Sequence, residues 1–422
     1  MKKKLTAAVL GAGGRGSMYA NLIKTQHSDE FDITAICDLN PKQLQKCKKM
    51  LDLTDDMLFT DEEEFLSEKR ADVLIIATYD DRHVEECTRA MKMGYDILME
   101  KPISNSREEI DKLLKVQKET GRVVSICHEL RYGPAFVKLG ELLDSGVIGK
   151  LLAVDAMERV AYWHQAQAYV RIQSQRKGLF FSTILAKCSH DLDLVQRYVG
   201  AKCDTISSVG DLSFFRKENM PADAAHRCLD CKYVETCPYS AKKIYIDMWK
   251  EKGCPEFDWP WSKVSLVNPN TEEDLYEGIK NSYFGECVFD LGVEANKDVV
   301  DRQMVQMRFE NGVIGTLKMV FAAEPGRRIN LFGSHGEILF DERAGTIEVM
   351  PYGKEKTVYD FNEIAGGHGG GDSILIGNLY NAITDTSSNR TSLTESIESQ
   401  LMGIAAEESR LDGGKVVKVH KD

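Results

Sequence analysis

The sequence predicts an α/β chain with a doubly wound N-terminal domain and a second, α+β domain built on a mainly antiparallel sheet. Three observations predict it. Short aliphatic runs alternate with longer amphipathic stretches through residues 1–127, the pattern of a parallel sheet with crossover helices. The first run ends in Gly11-x-Gly13-x-x-Gly16. Later runs are joined by turns such as Asn311-Gly312 and His335-Gly336, as in antiparallel hairpins.

In chain order, strands are predicted at Ala7–Leu10, Asp32–Cys37, Val73–Ala77, Asp96–Met99 and Val123–Cys127. Helices are predicted at Ser17–Lys24, Pro41–Leu51, Arg82–Met93 and Ser106–Thr120, with Pro41 and Ser106 as start signals. The domain change is placed between residues 127 and 128. A helix then runs to Leu143, and the turn Gly146-Val147-Ile148-Gly149-Lys150 leads into a strand at Leu151–Glu158. Further strands are expected at Gln303–Phe309, Gly312–Phe321, Arg328–Phe332 and Glu337–Phe340, and Ser392–Leu411 returns to helix within a second domain of residues 128–422. Residues 211–301, which hold five of the 11 cysteines, read as an insertion.

A chain of 422 residues exceeds the size at which one hydrophobic core stops growing, so at least two domains are expected. The 54 basic and 66 acidic residues leave a net charge of -12, which repels polyphosphates and argues against nucleic acid as a partner. No apolar run approaches the length of a membrane span. The basic and apolar start, Met1 to Leu10, runs straight into the glycine motif with no cleavage site, so it reads as a first strand, and a cytoplasmic location is expected. Cysteines scattered singly, such as Cys37, Cys87 and Cys127, fit reduced buried thiols.

Glycine triplets arise by chance, but this one sits between a strand and a helix, where backbone amides and a helix N-terminus can face a pyrophosphate. Gly11 would permit the tight turn, Gly13 the approach of phosphate, and Gly16 the packing of helix on strand. Asp38, at the end of the second strand, can bind a ribose 2'-hydroxyl and would repel a 2'-phosphate, which favours NAD(H) over NADP(H). Lys42 or Arg15 would soften that preference. The expected cofactor contacts are Gly11, Gly13, Gly14, Arg15, Gly16, Asp38, Thr78, His83, Glu100 and Lys101.

Glu100-Lys101-Pro102 follows the fourth strand, at the carboxyl edge where open α/β sheets bind ligands. By spacing alone such a pair is more often a surface turn. Together with the glycine motif and Cys37-Asp38, however, it resembles the glucose-fructose oxidoreductase/inositol dehydrogenase (Gfo/Idh/MocA) family. Leu130-Arg131-Tyr132 with Pro134, Gly146-x-Ile148-Gly149, Ser189-His190-Asp191-x-Asp193 and Gly333-x-x-Gly336-Glu337 extend the resemblance over nearly the whole chain. It implies an open-faced second sheet whose front wall holds substrate, and NAD-dependent hydride transfer at a secondary hydroxyl of a sugar, polyol or glycoside. The family's lysine binds that hydroxyl and assists its deprotonation, a role the resemblance assigns to Lys101. The family places an aspartate four residues before its catalytic histidine; here Ala186 precedes His190 at that spacing, and Lys187 is three residues before it. Lys101 and His190 are therefore expected as the acid/base pair, with Lys187 holding a substrate oxygen or a carboxylate and Asp193 orienting the histidine. The alternatives are redox-assisted glycoside cleavage and a non-catalytic sugar sensor; a homodimer or homotetramer is implied in each case.

Arg131, Tyr132, Trp163, His164, Arg171 and His368, the last within a glycine-rich stretch, are candidate contacts to a polyhydroxylated substrate, against the plainer reading of core packing and surface loop. Cys228-x-x-Cys231-x5-Cys237 has a spacing able to surround one metal ion, with Cys254 or His226 as fourth ligand and a structural zinc as the natural occupant. The plainer reading is reduced cysteines in a loop-rich insertion.

Overall fold

The computed structural model describes residues 4–173, 180–255, 259–265, 271–292, 298–361, 367–385 and 389–421. Its first sheet is parallel, in the order β3-β2-β1-β4-β5-β6, formed by β1 (Leu5–Leu10), β2 (Phe31–Cys37), β3 (Leu58–Phe59), β4 (Val73–Ile76), β5 (Asp96–Met99) and β6 (Val124–Ile126). All four residues of β4 are buried, as expected of a strand covered on both faces. Strand order reverses beside β1, between β1 and β4, which opens a crevice at the carboxyl ends of these two strands.

The predicted helices are present with small shifts as α1 (Gly14–Gln26), α2 (Pro41–Leu51), α4 (His83–Lys92), α5 (Arg107–Thr120) and α6 (Pro134–Asp144), and a short α3 (Glu62–Phe65) that was not predicted lies between α2 and α4. Ser106 caps α5 by accepting from the Glu109 N–H. Helix α1 begins three residues earlier than predicted, so Gly14, Arg15 and Gly16 form its first turn.

The second sheet has nine strands in the order β14-β13-β12-β11-β7-β10-β9-β8-β15. They are β7 (Leu151–Ala161), β8 (Cys203–Asp211), β9 (Arg302–Phe309), β10 (Ile314–Ala322), β11 (Gly326–Gly333), β12 (Gly336–Asp341), β13 (Thr346–Pro351), β14 (Thr357–Asp360) and β15 (Val417–Lys418). Every pairing is antiparallel except β7 with β10, which run parallel. One face carries the helices Thr183–Val199 and Leu393–Leu411, whose apolar residues Leu185, Leu192, Met402 and Ala406 share its core. The helix Gly371–Thr384 instead returns to the first sheet, where Leu375, Ile376, Leu379 and Tyr380 pack with Val9, Tyr19 and Phe31.

Candidate active site at the edge of the first sheet

The chain leaves β1 at Gly11 with φ 88°. A Cβ there would lie 2.6 Å from the Ala77 carbonyl oxygen, and one on Gly16 would lie 1.9 Å from the Gly11 oxygen. Glycine is therefore needed at both for backbone proximity. A Cβ on Gly13 would meet only Lys263 Nζ at 3.6 Å, and one on Gly14 nothing within 4 Å, so the space above the start of α1 is open. The first-turn N–H groups of Gly14, Arg15 and Gly16 have no acceptor within the helix and, with its dipole, favour an anion there.

Asp38 ties β2 to this loop: Oδ2 accepts from Ala12 N at 2.8 Å and Oδ1 from Asn40 N at 2.8 Å. Each oxygen keeps a lone pair for a ribose hydroxyl. Thr78, facing Gly11 from the end of β4, donates its hydroxyl to Glu86 Oε2 at 2.5 Å. Burial pushes that carboxyl up to about 7. These features make a cradle that fits NAD.

Two expected cofactor contacts work differently. Arg15 Nε donates to Glu100 Oε1 at 2.7 Å, and Nη2 donates to Asp372 Oδ1 at 2.9 Å and to Glu129. Three carboxylates thus draw its side chain inward. His83 is buried with Nδ1 2.8 Å from the Pro102 carbonyl, where it positions the Lys101-Pro102 segment. Glu100 also accepts from Tyr19 at 2.8 Å. Its burial raises the carboxyl, but the charges of Arg15 and Lys101 outweigh this and hold it below the usual range.

Lys101, just past β5, sends Nζ to the carbonyl oxygen of Ala186 at 3.0 Å, at the position where the family's aspartate was expected. One helical turn further on, His190 is buried with Nε2 3.7 Å from Glu129 Oε2. The helix Thr183–Val199 thereby brings His190 to the carboxyl edge of the first sheet.

Lys187 departs from expectation. Its ammonium is paired at 3.0 Å with Glu158, which also holds Arg327 at 3.1 Å, while Arg327 reaches Asp191 at 2.9 Å. Burial raises Glu158, but Arg327 and Lys187 outweigh it and hold the carboxyl at about 2. Lys187 thus serves a buried ion network instead of standing ready for a substrate oxygen.

Beside this network, His164 stacks with Trp163 at 5.7 Å and Tyr169 at 5.4 Å, and meets Trp259 of the insertion edge-on at 4.8 Å. Burial, then the charge of Lys187, lower His164 to about 3, so the ring is neutral. The expected pair Trp163 and His164 therefore lies in one aromatic wall beside the lysines.

Other expected substrate contacts are corrected. Arg131 is buried and grips Asp193 with two hydrogen bonds of 2.7 Å. This bidentate pair fastens Asp193 to Arg131 and away from His190. Tyr132 is buried and donates to Asn378 at 2.7 Å. Arg171 is fully buried, donating to the Glu286 and Tyr239 carbonyls at 3.1 and 2.8 Å. Each side chain is spent on internal polar groups, so all three are structural. His368 belongs to a short 3-10 turn at Gly367–Gly370, and its side chain lies outside the described residues.

The metal set changes as well. Cys228, Cys231 and Cys237 line one cavity, but its fourth cysteine is Cys287. Cys254 is exposed and not among the lining residues, and His226 pairs with Asp290 at 3.1 Å. Sequence reasoning also missed Glu129, Glu158, Trp259 and Lys263. Only Trp259 had a visible signal, in the aromatic stretch Trp259-Pro260-Trp261.

Residues 5–128 match the family model described as an oxidoreductase family with an NAD-binding Rossmann fold. Residues 266–419 match its C-terminal alpha/beta domain. The chain is 24% identical to the oxidoreductase YteT of Bacillus subtilis strain 168, over 86% of this chain and 85% of that protein. It is 26% identical to an inositol 2-dehydrogenase/D-chiro-inositol 3-dehydrogenase of Lactiplantibacillus plantarum over 35% of this chain; the match spans 42% of that protein, less than half its length. A levoglucosan dehydrogenase solved with NADH and levoglucosan has the same fold, with a TM-score of 0.72 at 15% identity over 99% of this chain and 100% of that one. Among the described residues no helix is long and apolar enough to cross a membrane.

Proposed function

The chain belongs to the Gfo/Idh/MocA oxidoreductase family, and from that premise we propose that it transfers hydride between NAD and a secondary hydroxyl of a sugar, polyol or glycoside. The observation that carries this reading is Lys101, which follows Glu100, the carboxylate gripped by Arg15 of the glycine turn, and whose ammonium bonds to the turn that precedes His190. When bound, NAD supplies the hydride acceptor. Gly11, Gly13 and Gly16 admit its pyrophosphate to the first turn of α1, and Asp38 selects the free ribose hydroxyls. Lys101 holds the reacting hydroxyl by donating to its oxygen, which assists deprotonation, and the proton passes to His190. Trp163, neutral His164 and Trp259 offer flat faces to the C–H surface of a ring.

The experiment is to follow NADH absorbance while the protein and NAD are mixed with a panel of sugars, polyols and glycosides, beside Lys101→Ala. Sustained NADH formation, lost in the variant, is the expected result. Cleavage of a glycoside with NAD retained and no net NADH would replace this reading with redox-assisted elimination.

A homodimer or homotetramer goes with this proposal. Supporting it, Val209, Met304, Ile314, Phe332 and Val358 stand exposed on the face of the nine-stranded sheet opposite its helices. A cytoplasmic location would suit the free cysteines.

A further inference from the structure

We propose that Cys228, Cys231, Cys237 and Cys287 bind a thiophilic metal centre that organises the insertion. Two chain segments build the site. In the first, tight turns fold the three nearby cysteines together: Cys231 N–H bonds the Cys228 carbonyl at 3.2 Å, and Cys237 N–H bonds that of Tyr233 at 2.8 Å. The second arrives far along the chain, where an isolated bridge pairs Arg227 with Glu286 and the Cys287 N–H donates to the His226 carbonyl at 2.7 Å.

All four cysteines face a cavity of about 30 Å³, walled otherwise by groups such as Pro221, Ala224, Val234 and Phe289. Four sulfur donors in an apolar wall match zinc or an iron–sulfur cluster, and exclude the oxygen-seeking calcium and magnesium. As each sulfur–metal bond forms, its thiol releases a proton to solvent, so a divalent ion with four thiolates carries a double negative charge. Arg171 meets that charge: its buried Nη2 donates to Cys228 Sγ at 3.6 Å.

Among the described residues the one trio of metal-capable side chains with donor atoms within 4.8 Å of one another is Glu100, Cys127 and Glu129. No three of the four sulfurs therefore lie within 4.8 Å of one another. A single zinc ion would draw them inward, whereas an iron–sulfur cluster holds its thiolates farther apart.

Elemental analysis and visible absorbance of the purified full-length protein, prepared with and without oxygen, test the site. One tightly held zinc per chain without colour, or iron with sulfide and a broad visible band, supports it and identifies the metal. Cys287→Ser and Cys228→Ser should lose the metal, while Cys254→Ser should keep it. Metal-free protein that also fails to develop the thiolate-to-cobalt band on titration with Co²⁺ overturns the proposal, whatever the variants do.

Discussion

Lys101 Nζ lies 3.0 Å from the carbonyl oxygen of Ala186. In an α-helix that same carbonyl faces the N–H four residues on, which here is His190. One peptide group thus sets both expected proton-handling side chains relative to each other, without a carboxylate between them. Lys101→Ala should lower kcat about 10²- to 10⁴-fold, the usual worth of a positioned acid or base, with little change in NAD affinity. Steady-state kinetics beside NAD titration check this; a variant that keeps most of its kcat sinks the role.

Gly16 and Gly14 share one turn of helix and should respond in opposite ways. A methyl on Gly16 would press on the Gly11 oxygen, a backbone atom that cannot swing aside, whereas one on Gly14 meets nothing within 4 Å. Gly16→Ala should cost about 1–3 kcal/mol or more and weaken NAD binding. Gly14→Ala should be neutral or stabilising by about 0.5–1 kcal/mol through loss of unfolded-state freedom. Denaturant melts of both variants decide it, and equal destabilisation would contradict the geometry.

The first sheet was legible because its central strands are buried on both faces and read as unbroken aliphatic runs, as Val73–Ile76 does. β3 escaped because two residues leave no pattern. The helix Thr183–Val199 was largely hidden for a different reason: it buries Ser189, His190, Asp191 and Asp193 among its apolar residues, so its periodicity is blurred by the polar groups that serve the site. Within the site, residues carried by compact motifs could be read directly. Partners that arrive from remote segments could not: Glu129 for Arg15, Glu158 for Lys187 and Cys287 for Cys228 are paired only by the fold.

His128 and His164 predict acid sensitivity that begins before most carboxylates titrate. Burial lowers His128 to about 4 despite the opposing charge of Asp193, and burial with Lys187 lowers His164 to about 3, both from 6.5. The unfolded chain therefore takes up protons below pH 6.5 that the folded chain refuses, so stability present above that pH is lost as pH falls towards 4 and 3. Each histidine contributes a slope of about 1.4 kcal/mol per pH unit within its window. Denaturant melts between pH 7 and 4.5 should show close to two protons taken up on unfolding near pH 5, beyond the carboxylate background measured in a variant with both histidines replaced by asparagine. Parallel pH profiles for parent and variant would count against it.

Lys263 links the insertion to the cofactor cradle. Its Nζ sits 3.6 Å from where a Gly13 Cβ would be, in the space that the glycine leaves for a pyrophosphate. An exposed lysine in that position should strengthen NAD binding by charge attraction of about 0.5–1 kcal/mol. Lys263→Ala should therefore raise the Kd for NAD by roughly twofold to fivefold at low ionic strength, and the difference should shrink in salt because an exposed charge is screened. Titrations by cofactor fluorescence at two salt concentrations check both parts. A Kd unchanged at low salt would mean that Lys263 points away from the phosphates once cofactor is bound, and a loss unaffected by salt would mean that the substitution acts through the packing of the insertion instead of through charge.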